Sequence, residues 1–339
     1  MTEVVVVGAY NAGFTVYLAR LPVPGETLGD GRFDWGPGGK GTNQAIALRR
    51  LGVDACLVTK IGADVFGEHA RRVLVDEGLP DWGILTGSGP TGIAFILVQS
   101  DGENSIVVAP GVNLELDIAD VRLLETQLAS SRVVLVQLEC RADLALGVAR
   151  WARDSGKTCL LNPAPARPLA AGDLASFDLI TPNETELASL AHHLGIGGPS
   201  LESQAMGLVE LGVPDVVVTL GEEGALWASS AGTQRFGAYP AEVRDTTGAG
   251  DAFNAGLAAG IAEGLSMPDA IDLGCRAGAY CVTREGVIDG LASRATLDTF
   301  VRGSSPHLSP VPTIDTTDIK ERAQAAHTSA AQPAASEER

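Results

Sequence analysis

Asp245-Thr246-Thr247-Gly248-Ala249-Gly250-Asp251-Ala252-Phe253-Asn254-Ala255-Gly256 places glycines at 248 and 250 between two carboxylates, then runs into an Ala- and Gly-rich stretch. Apolar residues recur through 249–263 at three- and four-residue spacings, which predicts a helix entered through a glycine turn. Glycine lets backbone come close to an anion, while the first-turn N–H groups and the positive end of the helix dipole face negative charge. Such a turn suits the charge that grows during phosphoryl transfer. Gly248, Ala249 and Gly250 are therefore a candidate anion hole, with Asp251 at its edge as a candidate base for an attacking alcohol. An Asp at this point also serves as an ordinary helix N-cap or turn residue, and the segment alone leaves both readings open.

Working outward, short β-branched or apolar runs at 4–8, 55–59, 133–138, 158–161, 179–181 and 216–220 read as buried strands. Between them, 42–51, 64–77, 142–155, 183–190 and 268–283 carry helical spacing, and Gly52, Gly78, Gly156 and Gly264 stand where C-caps are expected. Alternating strands and helices predict an α/β fold with a mostly parallel sheet covered on both faces. Two stretches break the rhythm. One is 14–35, with Pro22, Pro24 and Gly25; the other is 91–108, which reads as two strands around Ser100-Asp101-Gly102-Glu103. They are expected to be antiparallel additions forming a small β-lid from about 12–37 and 90–110. From Gly303 the chain turns to Ser, Pro, Ala, Gln and Thr without periodicity, so 1–302 is expected to be the folded domain and 303–339 a disordered tail.

A chain of 339 residues, 45% hydrophobic, can bury a sizeable core. Its formal charge of −18 argues against nonspecific binding to nucleic acid or anionic membrane, although a small anion can still be held locally. Cys56, Cys140, Cys159, Cys275 and Cys281 form no CxxC pair and are odd in number, which suits reduced, buried thiols. The chain enters a Val-rich run without a basic leader and has no apolar stretch near the roughly 18 residues that span a bilayer, so a cytoplasmic location is expected.

Gly38-Gly39-Lys40-Gly41-Thr42-Asn43 also leads into a helix, yet it is not a P-loop: Asp34 stands where that motif needs Gly, and Gly41 where it needs Ser or Thr. The dinucleotide fingerprint is likewise absent from 4–13. Five ordered motifs instead resemble the ribokinase family: GGKGTNQA at 38–45, LNPAPAR at 161–167, TPNETE at 181–186, TLGEEG at 219–224 and DTTGAGDAFNAG at 245–256. The resemblance spans about 3–302, including 8–27 and TREG at 283–286.

That resemblance implies a three-layer α/β/α sandwich with a β-lid over a sugar site, and an enzyme phosphorylating a sugar hydroxyl with ATP. The most direct expectation is D-ribose at O5. By position, Asp251 resembles the catalytic base and Gly248, Ala249 and Gly250 the anion hole; Asn11, Gly13, Gly39, Lys40, Gly41, Thr42, Asn43 and Glu139 fall on sugar-pocket positions. Amide, ammonium and carboxylate groups there can pair with a ring of hydroxyls. On the nucleotide side fall Asn183, Thr219, Leu220, Gly221, Glu222, Glu223, Gly224, Gly250, Asp251 and Cys275. Asn183 and Glu186 resemble a feature that organises Mg²⁺ and phosphates through water, although the same spacing is a capping box. Asp245, Thr247, Cys281, Arg284, Gly286 and Gly290 match a monovalent-cation loop, so K⁺ is the expected activator, and lid-mediated homodimers are implied. One departure stands out: Asn11-Ala12-Gly13 carries glycine where such pockets commonly hold an Asp that binds two sugar hydroxyls. Deoxyribose, fructose or a nucleoside such as adenosine are therefore alternative substrates, and a noncatalytic sugar- or nucleotide-binding protein is the alternative of another class.

Overall fold

The computed structural model describes residues 2–100 and 104–302. The tail expected over 303–339 and the turn at 101–103 lie outside these residues. In chain order the strands are β1 (Val4–Val7), β2 (Asn11–Leu18), β3 (Arg32–Gly38), β4 (Ala55–Ile61), β5 (Ile84–Thr86), β6 (Ile93–Gln99), β7 (Asn104–Ala109), β8 (Val133–Gln137), β9 (Thr158–Asn162), β10 (Leu179–Ile180), β11 (Asp215–Thr219), β12 (Ala225–Ser229) and β13 (Gly232–Phe236).

Nine of these form one sheet in the order β13-β12-β11-β10-β9-β8-β1-β4-β5. It is parallel from β5 to β11, with Val4 paired to Val133 on one side and Ala55 on the other, and ends in the antiparallel strands β12 and β13. Strand side chains alternate between faces, and β1 shows the consequence: Val4 and Val6 join one apolar core, Val5 and Val7 the other. Helices Lys40–Arg50, Val65–Asp76, Ala249–Glu263 and Met267–Cys281 feed the first core; Ala142–Asp154, Glu184–Leu194 and Leu201–Glu210 feed the second. This is a three-layer α/β/α sandwich. Each fully buried valine or leucine contributes about 1.5–3 kcal/mol before the entropy of ordering is subtracted.

Helix ends follow local chemistry. Asp64 caps its helix by accepting from Gly67 N at 2.8 Å, and Ser266 from Asp269 N at 3.3 Å. The glycines at 52, 78, 156 and 264 all take positive φ just past a helix, as their spacing predicts. The helix after Asn183 runs to Leu194, four residues beyond the expected end. Helix Leu201–Glu210 and the hairpin β12–β13 went unread, because their apolar residues are interleaved with small polar ones over short spans.

The second sheet has the order β3-β2-β6-β7 and grows from the C-terminal end of β1 through Asn11, returning through Gly38 to helix Lys40–Arg50. Its outer pairs are antiparallel as expected, but β2 and β6 run parallel. The expectation of wholly antiparallel additions is corrected there: the two hairpins come from separate parts of the chain and no tight turn dictates their relative direction. Register puts Phe14 beside Trp35 and Phe95 on one face, where Phe14 meets Phe66 edge-on at 5.4 Å and Trp35 lies 4.3 Å from His69. Phe66 and His69 belong to helix Val65–Asp76, which seats the sheet.

Candidate active site

Helix Ala249–Glu263 is buried on nearly all sides, which explains why its sequence is so rich in Ala and Gly. Asp251, like Asn254, departs from that apolar lining. Asp251 is only 5% exposed and would be costly without hydrogen-bond donors. Helix Lys40–Arg50 supplies two: Asn43 Nδ2 donates to Oδ2 at 2.7 Å, and Gln44 Nε2 donates to Oδ1 at 2.9 Å. The turn before Asp251 depends on Gly248, whose φ of 83° is left-handed and where a Cβ would lie 2.6 Å from Val287 Cγ1. Gly250, at the helix entrance, is exposed and Ala249 half-buried, so the first-turn backbone faces solvent immediately beside the carboxylate.

Opposite, Gly39 caps helix Lys40–Arg50 with φ 95°, and a Cβ there would sit 2.6 Å from the carbonyl oxygen of Ala9. Lys40 N donates to Glu139 Oε2 at 2.6 Å, while Thr42 N and Oγ1 both donate to Ala9 O at 3.2 Å. Gly41 and Thr42 are buried in the same first turn. Three motifs thereby converge on one ammonium: Lys40 is held above its ordinary range by Asp251 first and by Glu139 and Glu186 as well, against the effect of burial. Burial, with Asp251 adding, pushes the Glu139 carboxyl up to about 7 although Lys40 opposes it. Burial also raises Glu186, against the Asn183 N–H and Lys40. Lys40 is therefore electrostatically coupled to three carboxylates at once.

Asn11 is buried and its Oδ1 accepts from Asn113 Nδ2 at 3.0 Å, while Asn113 also binds both Tyr10 N (3.1 Å) and Tyr10 O (2.8 Å). Gly13 sits on β2 opposite Gly36 and Ala94, and a Cβ there would meet nothing closer than Gly36 O at 3.5 Å. A side chain is thus sterically admissible at 13, and the strand does not require glycine.

On the other flank, Asn183 and Glu186 form the capping box in full, with Asn183 N donating to Glu186 Oε2 at 2.9 Å and Glu186 N to Asn183 Oδ1 at 2.8 Å. A parallel bridge joins Asn183 to Thr219, and Thr219 N donates to Pro182 O at 3.0 Å, which sets TPNETE beside TLGEEG. Of the latter, Leu220 is buried, Glu222 and Glu223 are exposed, and Gly221 and Gly224 take positive φ. Cys275 is buried in helix Met267–Cys281, its thiol pushed up to about 12 by burial. All five cysteines are free and buried, as expected.

Asp245 stitches two loops together: its Oδ1 accepts from Thr247 N at 2.8 Å and its Oδ2 from Gly286 N at 3.0 Å. Cys281 Sγ reaches Thr247 O at 3.7 Å, Gly290 N donates to Gly286 O, and Arg284 stacks over Tyr280 with Nε on its hydroxyl at 3.3 Å. Sequence reading missed Gln44, Asn113, Gln137, Asn162, Thr181 and Asn254, all buried polar residues that hold the site. Four of them lie inside the quoted motifs, so the available signal was an amide or hydroxyl at an otherwise apolar motif position.

A buried carboxylate beside an open, glycine-entered helix N-terminus suits a phosphotransferase that acts on an alcohol. Comparison with known proteins agrees. The model of the pfkB family carbohydrate kinases matches residues 1–294, and the chain belongs to that family. It is 35% identical over 290 residues to ribokinase of Haemophilus influenzae, covering 85% of this chain and 95% of that one. Deoxyribokinase of Salmonella typhimurium is 33% identical over 258 residues, covering 74% and 83%. The structure of Arabidopsis thaliana ribokinase complexed with ribose and ATP superposes with a TM-score of 0.80 at 30% identity, covering 89% of this chain and 99% of that one.

Proposed function

We propose that this carbohydrate kinase transfers the terminal phosphate of ATP to O5 of D-ribose. The observation that carries the reading is the buried Asp251 carboxylate, held by Asn43 and Gln44 at the glycine-entered helix N-terminus. As the sugar oxygen bonds to phosphorus, its proton passes to Asp251, the bond from phosphorus to the bridging oxygen breaks, and ADP leaves. The N–H groups at 249–251 and the Lys40 ammonium stabilise the charge on the transferring group. Asn11, Asn43 and Glu139 position the sugar; the buried Oδ1 of Asn43 has no partner among the described residues and suits a sugar hydroxyl.

The described residues hold no cluster of three His, Cys, Asp or Glu that could hold a metal ion; Asn183 and Glu186, joined in the capping box, would hold Mg²⁺ through water on the phosphate side. Such an ion would neutralise phosphate charge. The loops joined by Asp245 are the proposed K⁺ site, supported by the way its carboxylate holds 245–247 against 281–290, where Cys281 also reaches Thr247 O. The β3-β2-β6-β7 sheet is the proposed lid and dimer surface, supported by exposed Phe33, Phe95, Ile106 and Val107. No described helix is long and apolar enough to cross a membrane.

A second reading, deoxyribose, is favoured by the absence of a carboxylate at Gly13 and by the deoxyribokinase relative. ADP release measured with ribose, deoxyribose, fructose and adenosine separates the two. The highest kcat/KM is expected with ribose; a preference for deoxyribose would establish the second reading, and no release with any acceptor would reject kinase activity on these sugars.

A further inference from the structure

Gln44 differs from its neighbour Asn43 in how its polar atoms are used. Asn43 gives one N–H to Asp251 and keeps a buried oxygen without a partner among the described residues. Gln44 is wholly buried and committed to the protein at both ends: Oε1 accepts from Gln137 Nε2, while Nε2 is shared between Asp251 Oδ1 at 2.9 Å and Asn162 Oδ1 at 3.2 Å. From Asn162 the chain of bonds continues. Asn162 Nδ2 donates to Thr181 O at 3.2 Å, Thr181 Oγ1 donates to Asn254 Oδ1, and Asn254 Nδ2 donates to the carbonyl oxygen of Gly250 at 2.8 Å. Gly250 precedes Asp251, so the path closes on itself. Its members come from four separate segments, and every side chain in it is at most 6% exposed.

We propose, resting on the reading of Asp251 as the base, that Gln44 is a positioning residue: it fixes the carboxylate through a closed buried ring that returns to the first turn of the same helix. Two physical points favour this role. A ring of neutral amides and a hydroxyl supplies donors without bringing a titratable proton of its own to the carboxylate. A closed path also resists rotation of Asp251 relative to the backbone N–H groups at 249–251, and misplacing a reacting group by about 1 Å costs roughly 100-fold in rate. The charged or titratable groups facing Asp251 are Lys40, Glu139, Glu186 and the Cys281 thiol, and Gln44 leaves their balance untouched.

The test measures kcat, sugar KM and the pH dependence of kcat/KM for Gln44→Met, Gln44→Glu, Thr181→Val and Asp251→Asn, with thermal unfolding of each. Gln44→Met is expected to lower kcat about 10- to 100-fold with sugar KM within about threefold of wild type. Gln44→Glu sets a second carboxylate beside Asp251, and the acidic limb is expected to move up by about one pH unit or more. Thr181→Val keeps the side-chain shape and opens the ring on its far side; kcat is expected to fall about three- to tenfold at constant KM. Folded Gln44 variants with wild-type kcat and limb, while Asp251→Asn is inactive, overturn the inference. Should neither Gln44 variant fold, Thr181→Val decides, an unchanged kcat overturning it. Full turnover by Asp251→Asn would instead reject the assignment of the base.

Discussion

Strands β1 and β7 both carry consecutive β-branched residues and live in opposite surroundings. Val4, Val5, Val6 and Val7 are all 0% exposed, whereas every residue of β7, including Ile106, Val107 and Val108, is exposed. The first sheet is covered on both faces by helices; the second is seated by Phe14 on Phe66 and Trp35 on His69. Of the groups proposed for chemistry, Lys40, Asn43 and Asp251 belong to helices covering the first sheet, and Glu139 lies in the loop after its strand β8. The proposed chemistry thus sits on the doubly covered sheet, and the second sheet, as the proposed lid, would close over it and exclude water.

The sharpest way to break this division of labour is at Asp251. Asp251→Ala is expected to lower kcat by about 10²–10⁴-fold, with a smaller effect on sugar KM, in steady-state assays. Near-normal turnover would place the chemistry elsewhere. Truncation then compares the two sheets directly. Leu135→Ala in β8, fully buried, is expected to cost about 2–5 kcal/mol in denaturant unfolding, whereas Val107→Ala, 68% exposed, stays within about 0.5 kcal/mol. Similar losses at both positions would mean that the second sheet is covered in solution, as a dimer would cover it.

Gly13 tests the boundary between the sheets. Gly13→Asp restores a carboxylate where a Cβ fits, and a charged hydrogen bond is worth about 1.5–3 kcal/mol. It is expected to raise the ribose-over-deoxyribose ratio of kcat/KM by on the order of tenfold; no change would remove position 13 from sugar recognition. A smaller effect concerns Glu139, whose carboxyl burial lifts from 4.5 to about 7. Between those values the folded protein binds a proton that the unfolded chain has lost, so stability falls as pH rises through this window. Glu139→Gln is expected to flatten that fall in urea unfolding at pH 5 and 8; an unchanged slope would assign it to other groups.

Much of the sandwich was legible because buried strands and helices carry their own periodicity: 249–263 matches helix Ala249–Glu263 residue for residue. The strands of the second sheet were legible too, but the parallel pairing of β2 with β6 was not, since it is set by tertiary contact and not by a turn. The site was legible where a motif has a backbone reason, as at Gly39 and Gly248, both left-handed. Gln44 and Asn113 were not, because a buried amide announces itself only through partners distant in sequence, Asp251 for the one and Tyr10 for the other.

The most direct measurement is a crystal structure with ribose and a non-hydrolysable ATP analogue. The account expects the terminal phosphate against the N–H groups of residues 249–251 and the sugar O5 within about 3 Å of an Asp251 oxygen. A terminal phosphate held away from that helix entrance, with Asp251 out of reach of any sugar oxygen, would contradict it.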